Sequence, residues 1–195
     1  MVYQMQIPPF EIGNFENLTA EQAKKIFNWY VGEIPLRLEQ LQRYLNEQVK
    51  GSIKLTMEVN TLAPLWDWFC KTLQIRPRTH KELEDELKST PEWLHDFIKA
   101  DDKKLTLETL SVGMDIAIYF AEVVVHNNPT IHWGYYTKPK RRVSVNEPVL
   151  LGFNHGMELN PRHILHTLML RYIRNADQDG LLETYNIWST FIPAT

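Results

Sequence analysis

The stretch LTLETLSVGMDIAIYFAEVVVHNNPTIHWG, from Leu105 to Gly134, decides how this chain folds. At roughly 100° per residue, Glu108, Ser111, Asp115, Tyr119, Glu122 and His126 fall in one sector of a helix, about 100° wide. Val112 is the apolar residue in that sector; Gly113, Met114, Ile116, Ala117, Ile118, Phe120, Ala121 and Val123 to Val125 cover the rest. A helix apolar on most sides is buried on most sides, so its polar stripe meets water, a partner or a satisfied network. Taken from sequence alone, the stripe is the wettable edge of a buried rod, presenting Asp115, Tyr119, Glu122 and His126. Asn127-Asn128-Pro129 stops the helix. The β-branched and aromatic run from Thr130 to Thr137 then predicts a strand bearing Trp133.

Beyond that strand, Arg142 to Val145 and Pro148 to Phe153 read as two further short strands. Lys138-Pro139-Lys140-Arg141 connects the first two. Asn160 caps, and Pro161 starts, a helix bearing Ile164, Leu165, Leu168, Met169, Tyr172 and Ile173. Asp179-Gly180 predicts a turn, and Leu181 to Ile192 a terminal amphipathic helix.

Upstream of the long helix, Asp101-Asp102-Lys103-Lys104 reads as an exposed turn. Thr90-Pro91-Glu92 opens a helix expected to bury Trp93, Leu94, Phe97 and Ile98. Thr79 to Lys88 reads as a solvated, charged helix. Asn60 or Thr61 caps another, with Pro64 in its first turn and Leu65, Trp66, Phe69 and Leu73 to bury. Trp66 and Trp68, two apart, point in different directions, which leaves one to pack the amino-terminal part onto the body. Ile53, Leu55, Met57 and Val59 alternate with Lys54, Thr56, Glu58 and Asn60, the period of a strand with one buried face. Thr19 and Gln22 form a capping box for a helix from Ala20 to about Gly32. Pro35 predicts a break, because it lacks an amide and disfavours helix in the residue before it. A second helix then aligns Leu38, Leu41 and Leu45, and Gly51 closes it.

These elements predict an α+β fold: a small, mostly antiparallel sheet packed on a long central helix, with a helical hairpin as amino-terminal extension. No linker composition or repeat divides the chain. One domain over 1–195 is expected, with the hairpin at 1–51 and the α+β body at 52–195.

Composition narrows the function classes. With 195 residues and 44% hydrophobic content, the chain can bury a core without staples. The lone Cys70 excludes an intramolecular disulfide and, in an apolar run, reads as an inert buried thiol. A formal charge of −3 argues against a dedicated nucleic-acid binder. Lys138, Lys140, Arg141 and Arg142 do lie beside Trp133, Tyr135 and Tyr136, but the patch is short and contains Pro139. It reads as a solvated turn whose arginines can fold back to pair with Asp115 or Glu122. Met1 to Phe10 has no basic region and is interrupted by Pro8-Pro9, so no signal peptide is expected. The run Ile116 to Ala121 is far short of a membrane span. A soluble cytoplasmic protein is the expectation.

Asp115, Glu122 and His126 are residue types used in metal ligation and acid–base work, and Glu122 and His126 are neighbours on the helix face. Closing a metal site needs further ligands, for which His132 on the following strand is available. A small metal-dependent hydrolase using Glu122, His126 and Asp115 is the enzymatic alternative. The bland alternative is that both acids bond to backbone groups and arginines. His155, His163 and His166, with Glu158 nearby, lack a recognised ligand spacing. Ser111 and His126 lie about 22 Å apart along the helix and cannot pair. There is no G-x-S-x-G elbow, no Walker loop and no G-x-G-x-x-G. No catalytic residue, metal or cofactor is therefore assigned; the candidate binding residues are Asp115, Tyr119, Glu122, His126, Trp133 and Arg141.

Met57-Glu58-Val59-Asn60-Thr61-Leu62, Asp115 to Val123 and Trp133-Gly134 together resemble an uncharacterised family of small bacterial proteins. Ala121 stands where that pattern has a small residue, usually glycine, before the glutamate. The resemblance spans Ile53 to Phe153. Such families are similar to the immunity and accessory proteins encoded beside secreted bacterial toxins. The resemblance implies a non-catalytic protein that binds another protein, and carries no catalytic residue with it.

Overall fold

The capping box forms as expected. Thr19 Oγ1 accepts from the Gln22 amide, and the Gln22 side chain accepts from the Thr19 amide. It opens α1 (Ala20–Val49), a single helix with Pro35 inside it. The expected helical hairpin is therefore corrected to one continuous rod. Its buried residues, Ala23, Ile26, Tyr30, Ile34, Arg37, Leu41 and Leu45, run through the proline without losing helical register. Keeping that stripe in one line outweighs the missing amide bond, and Pro35 itself lies on the exposed face. The structure, a computed structural model, describes residues 3–100, 103–174 and 180–193.

Residues 53–58 correct a second expectation. Burial alternates as the sequence suggests, with Ile53 buried and Leu55, Met57 and Val59 half-buried. Yet the segment is no strand, because among the described residues no second strand pairs with it. The Gln42 side chain takes that place: its Nε2 donates to the Ile53 carbonyl at 3.1 Å, and its Oε1 accepts from the Leu55 amide at 2.8 Å. A tight turn at Val59–Thr61 leads into α2 (Leu62–Thr72), which buries Leu65, Trp66, Trp68 and Phe69. Trp68 meets Tyr44 of α1 at 6.1 Å between ring centres, so it does fasten the amino-terminal helix to the body.

After α2 the chain leaves the core. β1 (Ile75–Pro77) leads to α3 (His80–Ser89), a turn at Glu92–Leu94 and α4 (His95–Ala100), and β2 (Lys103–Leu105) returns antiparallel to β1. The register pairs Ile75 with Leu105 and Pro77 with Lys103. Lys103 and Lys104 thus belong to a strand rather than a turn; Asp101 and Asp102 lie outside the described residues. Trp93, expected inside, is 73% exposed, because this arm has too few apolar neighbours to cover it. The Phe97 side chain is likewise not among those described.

Thr106 accepts from the Thr109 amide and opens α5 (Leu107–Asn127), the long helix at the centre of the core. α5 is long and apolar enough to cross a membrane, but its apolar circumference is mostly buried inside the protein. β3 (His132–Gly134) pairs antiparallel with β4 (Val149–Leu151), His132 opposite Leu151. Gly152 follows at φ +106°, where a Cβ would sit 2.1 Å from the Thr130 carbonyl oxygen, so only glycine fits. The strand expected at Arg142 to Val145 is a pair of turns instead. The Arg142 amide donates to the Pro139 carbonyl and the Val145 amide to the Arg142 carbonyl, which curls the backbone and leaves an isolated bridge of Val145 to Tyr136 in place of a ladder. α6 (Pro161–Ile173) is capped by Asn160 and crosses α5 so closely that a Cβ on Gly113 would lie 2.8 Å from the Met169 sulfur. α7 (Leu181–Ser189) closes the chain against α2; Asp179 lies outside the described residues. The α+β class, the central helix and the small antiparallel sheets stand as expected, the sheet being two separate pairs of strands.

Candidate functional site

The polar stripe of α5 is not wet along its middle. Asp115 is fully buried between α1 and the amino-terminal segment. Arg37 grips it through one edge of the guanidinium, Nε to Oδ1 at 2.8 Å and Nη2 to Oδ2 at 2.7 Å. The Tyr3 hydroxyl donates to the same Oδ2. Arg37 Nη2 also donates to the Gln4 carbonyl at 2.7 Å, as does Gln40 Nε2. One carboxylate thus ties together three stretches of chain. Burial pushes the Asp115 carboxyl above its usual value, against the opposing pull of the Arg37 and Tyr3 hydrogen bonds. Burial likewise drives the Tyr3 hydroxyl far up, so it stays a donor. The arginine that pairs with Asp115 comes from α1, not from the Lys138–Arg142 turn.

Tyr119 is also fully buried, and its hydroxyl hydrogen-bonds Thr61 Oγ1. Glu122, half-buried, accepts from Trp133 Nε1 at 2.6 Å. Asn127 donates to the Met57 carbonyl at 2.8 Å. Met57–Leu62 and Trp133–Gly134, far apart in sequence, are therefore each tied to α5. His126 and Arg141 are exposed. Asp115 and Glu122 are seven residues apart, about 10 Å along the axis, and each serves a different neighbour. Asp115, Glu122 and His126 are accordingly not brought together. Among the described residues, no group of three or more His, Cys, Asp or Glu side chains is placed to hold a metal ion.

The basic turn is largely committed as well. Lys140 Nζ donates to the Leu18 carbonyl at 2.8 Å, and Asn146 Nδ2 to the Phe15 carbonyl at 2.6 Å, which pins the far end of the amino-terminal segment. Arg142 pairs with Glu158 and stacks 4.0 Å from the Tyr136 ring centre. Cys70 is driven up to about 12 by burial, which leaves it a poor nucleophile at neutral pH.

Between its two pinned ends the amino-terminal segment bridges a cleft of about 380 Å³. Met5, Gln6, Pro8 and Ile12 form its outer wall, Trp29 and Tyr30 of α1 one side, and Leu107, Leu110, Ser111 and Met114 of α5 the other. Arg162, at the head of α6, is the charged residue among the described lining. Sequence reasoning placed only Ser111 of this site near a function, and missed Tyr3, Arg37 and Arg162. Arg37 had a readable signal: an arginine on the apolar face of a helix requires a buried acceptor. The cleft had none, since four separate segments build it. Comparison of the chain with protein-family profiles, curated proteins and solved structures finds no match.

Proposed function

We propose that this is a non-catalytic cytoplasmic binding protein that holds another protein, in the manner of bacterial immunity and accessory proteins. The cleft between the amino-terminal segment, α1 and α5 receives an apolar segment of that partner. One contrast carries this reading. Three of the side chains able to do chemistry, Asp115, Tyr119 and Glu122, are engaged in internal bonds, while large apolar side chains stand open around the cleft. Met5 is 44% and Leu107 62% exposed, and Ile7, between two lining residues, is 70% exposed. Clustered exposed apolar groups mark interaction surfaces more than lone ones do. Affinity would come from a few apolar anchors entering the cleft, ringed by contacts that exclude water. The resemblance of Met57–Leu62, Asp115–Val123 and Trp133–Gly134 to proteins encoded beside secreted toxins supports the same reading.

The test compares wild type with Leu107→Lys and Met5→Lys, both at exposed rim positions, in stoichiometric capture from the source cell. A partner retained by wild type and lost from both variants, at unchanged thermal unfolding, is the expected result. Equal capture by all three chains, or recovery of the free chain alone, overturns the proposal.

A further inference from the structure

We infer that the partner segment seated in this cleft carries a carboxylate beside its apolar anchors, and that Arg162 and Gln6 receive it. This rests on the docking proposed above and names the chemistry of the occupant. Arg162 Nε and Gln6 Nε2 are both buried nitrogens with no hydrogen-bond partner, and both residues line the cleft. Each is a donor, so each lacks an acceptor. A buried donor left unpaired is costly, which favours an occupant that brings oxygen.

Charge points the same way. Arg162 Nη2 donates to Glu147 Oε2 at 2.5 Å, but that oxygen also accepts from Asn160 Nδ2 at 2.9 Å and lies 3.4 Å from His163 Nε2. One carboxylate oxygen is shared by two donors and approached by an imidazole, and the guanidinium Nε is left unpaired. The rings of Phe15 and Tyr30, with centres 5.2 and 5.7 Å from the guanidinium carbon, hold Arg162 in place and cover part of it, its side chain being 24% exposed. A cation held in such surroundings attracts an anion more strongly than one in bulk solvent. Elsewhere the cleft walls are mostly apolar. The complementary occupant is an apolar side-chain cluster with an Asp, Glu or terminal carboxylate at one end.

Octanoate, octanol and octylammonium test this with one tail and three heads. Binding is followed by calorimetry and by the NMR shift of the Trp29 indole. Octanoate is expected to bind with a dissociation constant of about 1 mM, as suits a fragment of a larger ligand, and about tenfold more tightly than octanol or octylammonium. Arg162→Gln should level the three. Because that change also strips Glu147 of a donor, Gln6→Leu on the half-buried strap serves as second variant and should cut the acid preference about threefold. Equal binding of all three heads to wild type overturns the carboxylate inference and leaves the docking reading standing. Binding of none overturns the docking reading itself. Octanoate binding at about 1 μM or tighter would make a free amphipathic acid the occupant and overturn the assignment to a protein segment.

Discussion

α5 and the arm formed by α3 and α4 are both helical, yet they are held by opposite means. Thirteen residues of α5 are buried, Asp115 and Tyr119 among them, whereas no described side chain of α3 or α4 is. The arm is fastened at its stem by charge: Arg76 grips Glu82 at 2.8 and 2.6 Å, and Arg78 and Lys104 each reach Glu86 at 3.4 Å. Apart from Arg78, these charges lie at the surface, where solvent screening leaves an ion pair little net stability, while burying one large apolar side chain contributes about 1.5–3 kcal/mol. The difference teaches that helix content is no guide to rigidity here. The arm is therefore expected to open locally without disturbing the core, and α5 to open only with global unfolding.

The sharpest way to break this comparison is at Asp115. Asp115→Ala leaves the Arg37 charge buried and unpaired and should destabilise the protein by about 3–5 kcal/mol in urea unfolding. Replacing both partners together, Asp115→Leu with Arg37→Met, should cost clearly less. A single-variant loss below about 1 kcal/mol would mean that the pair is not shielded as described.

A smaller loss is expected at Gln42. Gln42→Ala strips the Ile53 carbonyl and the Leu55 amide of their partner, and should cost about 1 kcal/mol by the same measurement. Exchange of the Leu55 amide should rise with it.

Acid separates the two regions by sign. Hydrogen bonds from Arg76 and Thr79 hold the Glu82 carboxyl well below its ordinary value. Its contribution is therefore present above the ordinary carboxylate range and is lost as the pH falls through it toward the folded-state value. Asp115 is raised, so its contribution is present below its ordinary value and is lost as the pH rises through the folded-state value. Lowering the pH from about 6 to about 3 should speed hydrogen exchange in α3, after correction for intrinsic rates, without a matching change in α5. Equal response of both helices would contradict their independence. Smallest of all, Trp93→Ala should change stability by no more than about 0.5 kcal/mol, because its ring is mostly in water. A larger loss would show that the arm buries it.

The long helix was legible because its apolar residues fill most of the circumference, a pattern that burial explains. Pro35 was misleading for a local reason: the proline rule sees one missing amide, and misses a stripe from Ala23 to Leu45 that gains by staying in line. At Ile53 to Val59 the alternation reported burial correctly, but the pairing it implied belongs to a side chain eleven residues upstream. The stripe of α5 was found and its surroundings misjudged, since Tyr3 and Arg37 lie 112 and 78 residues from Asp115 and no local pattern links them. Periodicity reports how much of an element is covered; it does not say by what.

The pairing of Pro77 with Lys103 has one more consequence. The chain departs from the body and comes back at adjacent points, so everything between them hangs from a two-stranded stalk. A two-residue Asn-Gly turn has the length to join those strand ends directly. The molecule can thus be shortened by some two dozen residues without rerouting the remainder, and whatever the excursion does in the cell can be removed as a unit from a scaffold that keeps its cleft.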